Sequence, residues 1–257
     1  MPPTPNRLWR QLATGLAFLY IFFGGGVLAT LVWPLCLMGK IGSPRQVRRF
    51  IRGFFRIYIT ALQRLGLLTL SVEGTEHLRL GVGRMIIANH PSLLDVVLLI
   101  ALVPNTQCIV KHQLWNHRFL GILMRRAGFI RNDLPPETFA ASCKDSLTSG
   151  ESLIIFPEGT RSTPGAPLKL QRGFANLVVA TEAPLQPVTI TCTPPTLVKG
   201  ERWWHIPART PHFTVRFDAT TAANNLLNAA VPRSIFARQL VRYFEQYYRE
   251  HIPHAVA

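Results

Sequence analysis

The sequence predicts an α/β fold: a mixed, largely parallel sheet flanked by helices, preceded by an N-terminal membrane anchor and an amphipathic helix. Three observations carry this prediction. Beyond Gly66, short apolar, β-branched runs alternate with stretches of helical period, as they do when crossover helices join parallel strands. Before Lys40, a run from Gln11 to Gly39 carries no charge and would reach about 40 Å as a helix, enough for a bilayer. Between the two, arginines interleave with apolar residues at helical spacing. The expected division is residues 1–66 for anchor and amphipathic helix, and 67–257 for the α/β domain.

Taken in order, the uncharged run comes first. Gly24, Gly25 and Gly26 in its middle and Pro34 near its end permit a kink or a turn back within one leaflet. It is long for a signal peptide, and Gly-Val-Leu-Ala before Thr30 is a poor cleavage site, so a permanent anchor is expected. Only Arg7 and Arg10 precede it, whereas Lys40, Arg45, Arg48, Arg49, Arg52 and Arg56 follow. That bias puts the remainder on the cytoplasmic side. In the basic segment, Val47, Phe50, Ile51, Phe54, Phe55, Tyr58, Ile59 and Leu62 recur at helical spacing. The expectation is an interfacial helix with its apolar face toward lipid; packing on its own domain is the alternative. Strands are expected at Leu67–Val72, Arg84–Ala88, Gln107–Lys111, Gly128–Arg131, Ser152–Phe156, Gln186–Thr191 and Phe213–Asp218. Helices are expected at Pro91–Leu102, Trp115–Ala127, Pro136–Thr148, Phe174–Thr181 and Pro232–His251. The Pro-rich stretch Pro194–Pro211 reads as a loop, with Trp203 and Trp204 suited equally to a membrane interface and to packing on the domain.

Composition narrows the class. The 257 residues carry 28 Lys and Arg against 13 Asp and Glu, a formal charge of +15, yet 48% of them are hydrophobic and only 16% charged. A disordered basic tail would be less apolar, and a simple nucleic-acid module more charged. One bilayer-length run excludes a multi-span transporter. The combination fits an anionic membrane surface better than nucleic acid. Cys36, Cys108, Cys143 and Cys192 are scattered, without a C-x-x-C pair.

Two clusters carry chemistry. Asn89-His90-Pro91-Ser92-Leu93-Leu94-Asp95 follows a strand and opens a helix. His and Asp five apart on one continuous helix would lie about 140° around its axis and would not meet. With His90 on the loop, the imidazole can fold back so that Asp95 accepts from one ring nitrogen and leaves the other as a base. A helix cap beside an incidental histidine is the plainer reading. Ser92 as nucleophile is weaker, since no G-x-S-x-G elbow exists. The second cluster, Phe156-Pro157-Glu158-Gly159-Thr160-Arg161-Ser162, leaves another strand, and strand ends are where α/β sheets bind ligands. Arg161 offers a fork that matches phosphate. Lys111 and Arg131 also follow strands. His112 and His117 lack the H-E-x-x-H pattern, so no metal is expected.

N-H-x-x-x-x-D followed by F-P-E-G-T-R-S resembles the glycerophospholipid acyltransferase family, whose bacterial members include 1-acylglycerol-3-phosphate acyltransferases. Gly128–Arg131 resembles that family's second block, and Leu185-Gln186-Pro187-Val188 its last. The resemblance covers about Leu67 to Thr191. It implies that His90 is the general base and Asp95 orients it. It also implies that Glu158, Gly159, Thr160, Arg161 and Arg131, with Lys111 as a further candidate, bind the acceptor's phosphate. Pro91 departs from the glutamine common there. The implied reaction moves an acyl chain from acyl-CoA or acyl-ACP to a lysophospholipid, without cofactor or metal. Another lyso-lipid or glycolipid acceptor, or a non-catalytic membrane scaffold, is the alternative. The implied partners are membrane lipid and the acyl carrier, not nucleic acid. The implied location is a bacterial inner membrane, with the catalytic domain on its cytoplasmic face. The N-terminus of a helix beginning at Pro91 is a candidate oxyanion site.

Overall fold

The computed structural model describes residues 6–37, 42–78, 81–118, 120–163, 165–166, 168–227 and 231–252, with backbone only at 22 and 28–37. Among these, seven strands form one sheet: β1 (Thr69–Glu73), β2 (Arg84–Ala88), β3 (Thr106–Val110), β4 (Ile130–Arg131), β5 (Ser152–Ile155), β6 (Leu185–Thr193) and β7 (His212–Phe217). Their order is β1-β7-β6-β2-β5-β3-β4. β6, β2, β5, β3 and β4 run parallel, and β7 turns antiparallel to β6 with β1 parallel beside it. The expected mixed, largely parallel sheet is therefore present. Every residue of β2 is buried, because helices cover both faces. Alternation sends Ile86 and Ala88 into one apolar core and Met85 and Ile87 into the other.

The helices are α1 (Arg7–Leu37), α2 (Pro44–Arg64), α3 (Asp95–Leu102), α4 (His112–Trp115), α5 (Leu120–Arg126), α6 (Pro136–Thr148), α7 (Arg172–Thr181), α8 (Ala223–Leu226) and α9 (Arg233–His251). Residues of α2, α3 and α5 share the core with Ile86, and those of α6, α7 and α9 the core with Met85. The helix expected at Trp115–Ala127 is broken, with α4 starting earlier and α5 only at Leu120.

Two expectations about the N-terminal region need correction. The uncharged run forms α1, continuous through Gly24–Gly26, so it does not turn back there. Among the described residues, however, no helix is long and apolar enough to cross a membrane, and the spanning anchor is unsupported. Lys40, the first cation after the run, lies outside the described residues. One face of α1 is fastened to protein: Arg10, Ala13 and Ala17 are buried, and the Arg10 guanidinium donates to the carbonyls of Ala208 and Arg209, both at 3.1 Å. Tyr20 stacks on Phe54, with centroids 4.9 Å apart.

The second correction concerns α2. Ser43 caps it in a capping box with Gln46. Its apolar face turns to the domain, not to lipid: Val47, Ile51, Tyr58, Ile59 and Leu62 join the core. The arginines on that side are structural. Buried Arg48 pairs with Glu151 and donates to the Ala127 carbonyl at 2.7 Å, and Arg52 donates to the carbonyls of Ala101 and Leu102. Cations at the C-terminal end of α3 meet its unsatisfied carbonyls, which explains why arginine rather than an aliphatic residue faces inward there.

Candidate active site

β2 and β5 are hydrogen-bonded neighbours running in one direction. Their following loops therefore emerge together at one edge of the sheet. This adjacency brings Asn89–Asp95 against Phe156–Ser162, although nearly seventy residues separate them.

His90 is gripped from four sides. Its main-chain N–H donates to Glu158 Oε1 at 2.8 Å, and its carbonyl accepts the Ser162 N–H at 2.7 Å. Its ring stacks on Phe156, centroids 4.2 Å apart and planes 26° apart. Its Nδ1 lies 2.9 Å from Asp95 Oδ2. That contact fixes the tautomer with the proton on Nδ1 and leaves Nε2 as the basic nitrogen.

Asp95 is fully buried at the first turn of α3. The same Oδ2 also accepts the Ser92 N–H at 2.7 Å. Burial pushes the Asp95 carboxyl up to about 6, and the hydrogen bond from His90 pulls against that rise. At neutral pH the carboxyl is ionised and holds the imidazole.

The helix expected from Pro91 begins only at Asp95, because Ser92–Leu94 make a separate turn. Ser92 is buried and does not serve as a nucleophile candidate: its Oγ donates to the Thr196 carbonyl at 2.9 Å. The turn also alters the expected oxyanion site. The N–H groups of Ser92, Leu93 and Leu94 are taken by Asp95 Oδ2, the Leu197 carbonyl and Ser92 Oγ respectively.

The second loop is equally specific. Gly159 has φ 70°, a left-handed conformation that penalises any side chain, and its N–H closes the turn onto the Phe156 carbonyl at 3.0 Å. Glu158, expected among the phosphate-binding residues, is buried and spends Oε1 on His90. Burial raises its carboxyl, and the Ser162 side chain and the His90 N–H partly offset this. Thr160 is exposed. Arg161 sends Nη1 to the carbonyls of Leu197 at 2.8 Å and Val198 at 3.1 Å.

Lys111 follows β3 and Arg131 ends β4, at the same sheet edge but farther out in the strand order. Lys111 is exposed. Arg131 is bound through two nitrogens by Asp133, at 2.9 and 2.6 Å, which holds the guanidinium more firmly protonated. That partner, two residues away, weakens its availability for phosphate.

Sequence reasoning missed several residues of the site. Asn89 is buried and bridges β2 to β6, donating to the Ile190 carbonyl at 2.8 Å and accepting its N–H at 2.7 Å. Phe156 supports the imidazole. Thr196–Val198 touches both loops, yet carries no pattern a sequence reader would notice; Leu197 has φ 54°.

The sequence pattern of the acyltransferase family matches residues 69–191, a span that holds both loops. Among similar proteins, a 1-acyl-sn-glycerol-3-phosphate acyltransferase of Cocos nucifera is 30% identical over 175 residues, 65% of this chain and 56% of that one. The Helicobacter pylori protein of that name is 27% identical over 157 residues, 59% of this chain and 62% of its own. The chain thus spans little more than half the length of these relatives. The crystal structure of the 1-acyl-sn-glycerophosphate acyltransferase from Thermotoga maritima has the same fold, with a TM-score of 0.67 and 21% identity, over 94% of this chain and 96% of that one.

Proposed function

We propose that the protein moves a fatty acyl chain from acyl-CoA or acyl-ACP to the free hydroxyl of a lysophospholipid. The proposed acceptor is 1-acylglycerol-3-phosphate and the product phosphatidic acid. The observation that carries this reading is the 2.9 Å contact between His90 Nδ1 and buried Asp95, which leaves Nε2 to act as a base. Nε2 takes the acceptor's hydroxyl proton while that oxygen attacks the thioester carbonyl carbon. Ionised Asp95 stabilises the imidazolium that forms. The C–S bond then breaks, and His90 returns its proton to the departing thiolate. No protein nucleophile is required.

Roles for the other residues are part of the proposal. Glu158 and Gly159 shape the loop that holds His90. Thr160 and the Nε and Nη2 of Arg161 are offered to the acceptor's phosphate, with Lys111 and Arg131 as outer cations that raise capture of anionic substrates. The acceptor and acyl chains draw the protein to an anionic membrane surface, proposed to be the cytoplasmic face of a bacterial inner membrane. Exposed Leu8, Leu12, Leu16, Leu19 and Phe23 recur on α1 at spacings that share one face, and support that docking.

Purified protein assayed with acyl-CoA or acyl-ACP and a panel of lyso-lipids tests the reaction. Ester formation with 1-acylglycerol-3-phosphate is expected, and loss of it in His90→Ala. Wild-type turnover in that variant refutes the base assignment, and turnover only with other acceptors refutes the acceptor. For docking, Leu12→Asp with Leu16→Asp should lower co-sedimentation with anionic vesicles; unchanged partition overturns it.

A further inference from the structure

The edge of the sheet opposite His90 holds a second feature that acyl transfer does not use. A cavity of about 480 Å³ opens there, where Gly81 precedes β2, Asn105 and Thr106 lead into β3, and Gly150 precedes β5. The loops of His90 and Arg161 leave the other ends of these strands. Successive turns of α2 supply four arginines to the cavity: Arg45, Arg48, Arg49 and Arg52. Ile51, Ile100 and Phe129 line the apolar part of its wall.

The charge there is not balanced. Glu151 pairs with Arg48 and lies 3.9 Å from Arg45. Among the described residues, Arg45 and Arg52 otherwise meet main-chain carbonyls. Arg49 is exposed and has no partner among the described residues. Arg48 is nearly fully buried, and its Nε–H has no acceptor. Burial draws the guanidinium groups of Arg48 and Arg52 below their ordinary pKa. Four cations thus surround one carboxylate, two of them partly desolvated, and main-chain carbonyls of Ala101, Leu102, Ala127 and Ser149 meet only part of their donors, an arrangement that favours an anion.

Size and lining narrow the ligand. Small-molecule sites run from about 300 to 1,000 Å³. An inorganic phosphate would leave most of this volume empty, and the apolar wall would stay unused. We propose that the cavity is a second anion site, separate from the catalytic edge, that binds a phosphate group attached to an apolar body. A lipid phosphate and a free phosphate share the anionic chemistry, and the probes below separate them. The inference stands whether or not His90 is a base.

The test is arginine modification of the full chain by phenylglyoxal, mapped by peptide mass spectrometry. The probes are dihexanoylphosphatidic acid below its micelle concentration, inorganic phosphate and dihexanoylphosphatidylcholine. The phosphatidic acid should slow modification of Arg49 and Arg45 by about fivefold, as four-fifths occupancy implies. Arg64, exposed at the far end of the same helix, serves as the control and should be unaffected. Arg49→Glu should abolish the protection of Arg45. Protection by the short lipid alone supports the proposal as stated. Protection by inorganic phosphate to the same degree overturns the apolar body. Absence of protection, or equal protection of Arg64, overturns the site.

Discussion

Asp95→Asn should separate catalysis from stability, because the carboxylate that orients His90 is costly to keep. In the wild type Asp95 is fully buried, and its carboxyl is raised from 3.8 to about 6. That difference corresponds to about 3 kcal/mol, which the folded protein gives up to hold the ion at pH 8. The sign follows from the raised value. The contribution of Asp95 to stability is greatest below pH 3.8 and is lost as pH rises through about 6. Asparagine carries no such cost. Its amide oxygen can still accept from His90 and Ser92, but its NH₂ falls where Asp95 Oδ1 is buried without a partner. An unpaired donor there costs about 1–3 kcal/mol. The net at pH 8 is zero to about 2 kcal/mol in favour of the variant. The variant's advantage over wild type should therefore grow by about 3 kcal/mol between pH 4 and pH 8. For a chain of this size that is about 6–12 °C in thermal midpoint, followed by differential scanning calorimetry. Activity should move the other way. Without a carboxylate to fix the tautomer and stabilise imidazolium, kcat should fall by about a thousand- to ten-thousandfold. Parallel midpoints across that pH range would show that burial does not strain Asp95. A kcat within tenfold of wild type would show that it does not orient the base.

Three further outcomes are expected. As pH falls through about 6, Asp95 takes up a proton and no longer stabilises an imidazolium, so a pH–rate profile should lose about tenfold in kcat per unit below that point. Glu158→Gln keeps an acceptor for the His90 N–H and should retain most activity. Glu158→Ala orphans that N–H, costs about 1–3 kcal/mol by chemical denaturation and lowers kcat more than it changes KM. Glu151→Ala leaves buried Arg48 without its counter-ion and should cost about 3–5 kcal/mol in the same assay, whereas Glu151→Ala combined with Arg48→Met should recover much of the loss.

The strands were legible because a sheet covered on both faces needs continuous apolar runs such as Arg84–Ala88, and turn residues bound them. The dyad was legible because His90 precedes an apolar helix and Asp95 opens it, an arrangement local enough to reason about. What sequence could not convey depends on partners far along the chain. The apolar face of α2 has the same period whether it meets lipid or its own core. Only the position of Ala127 and Glu151, about eighty and a hundred residues on, shows that Arg48 points inward. Likewise Ser92 looks like a helix cap, yet its hydroxyl donates to the distant Thr196 carbonyl. The pairing of Arg131 with Asp133, two residues apart, is by contrast a local one.

Thr196–Val198 joins the two loops that carry His90 and Arg161 without belonging to either. Its carbonyls hold Ser92, Leu93 and Arg161 together. The spacing between His90 and Arg161 is therefore set by a segment that lies outside both motifs. A small change of backbone there would retune which head group fits while His90, Asp95 and the Phe156–Ser162 turn stayed letter-perfect. Two proteins with identical motifs can thus differ in acceptor, and a specificity swap by engineering should begin in this unmarked stretch.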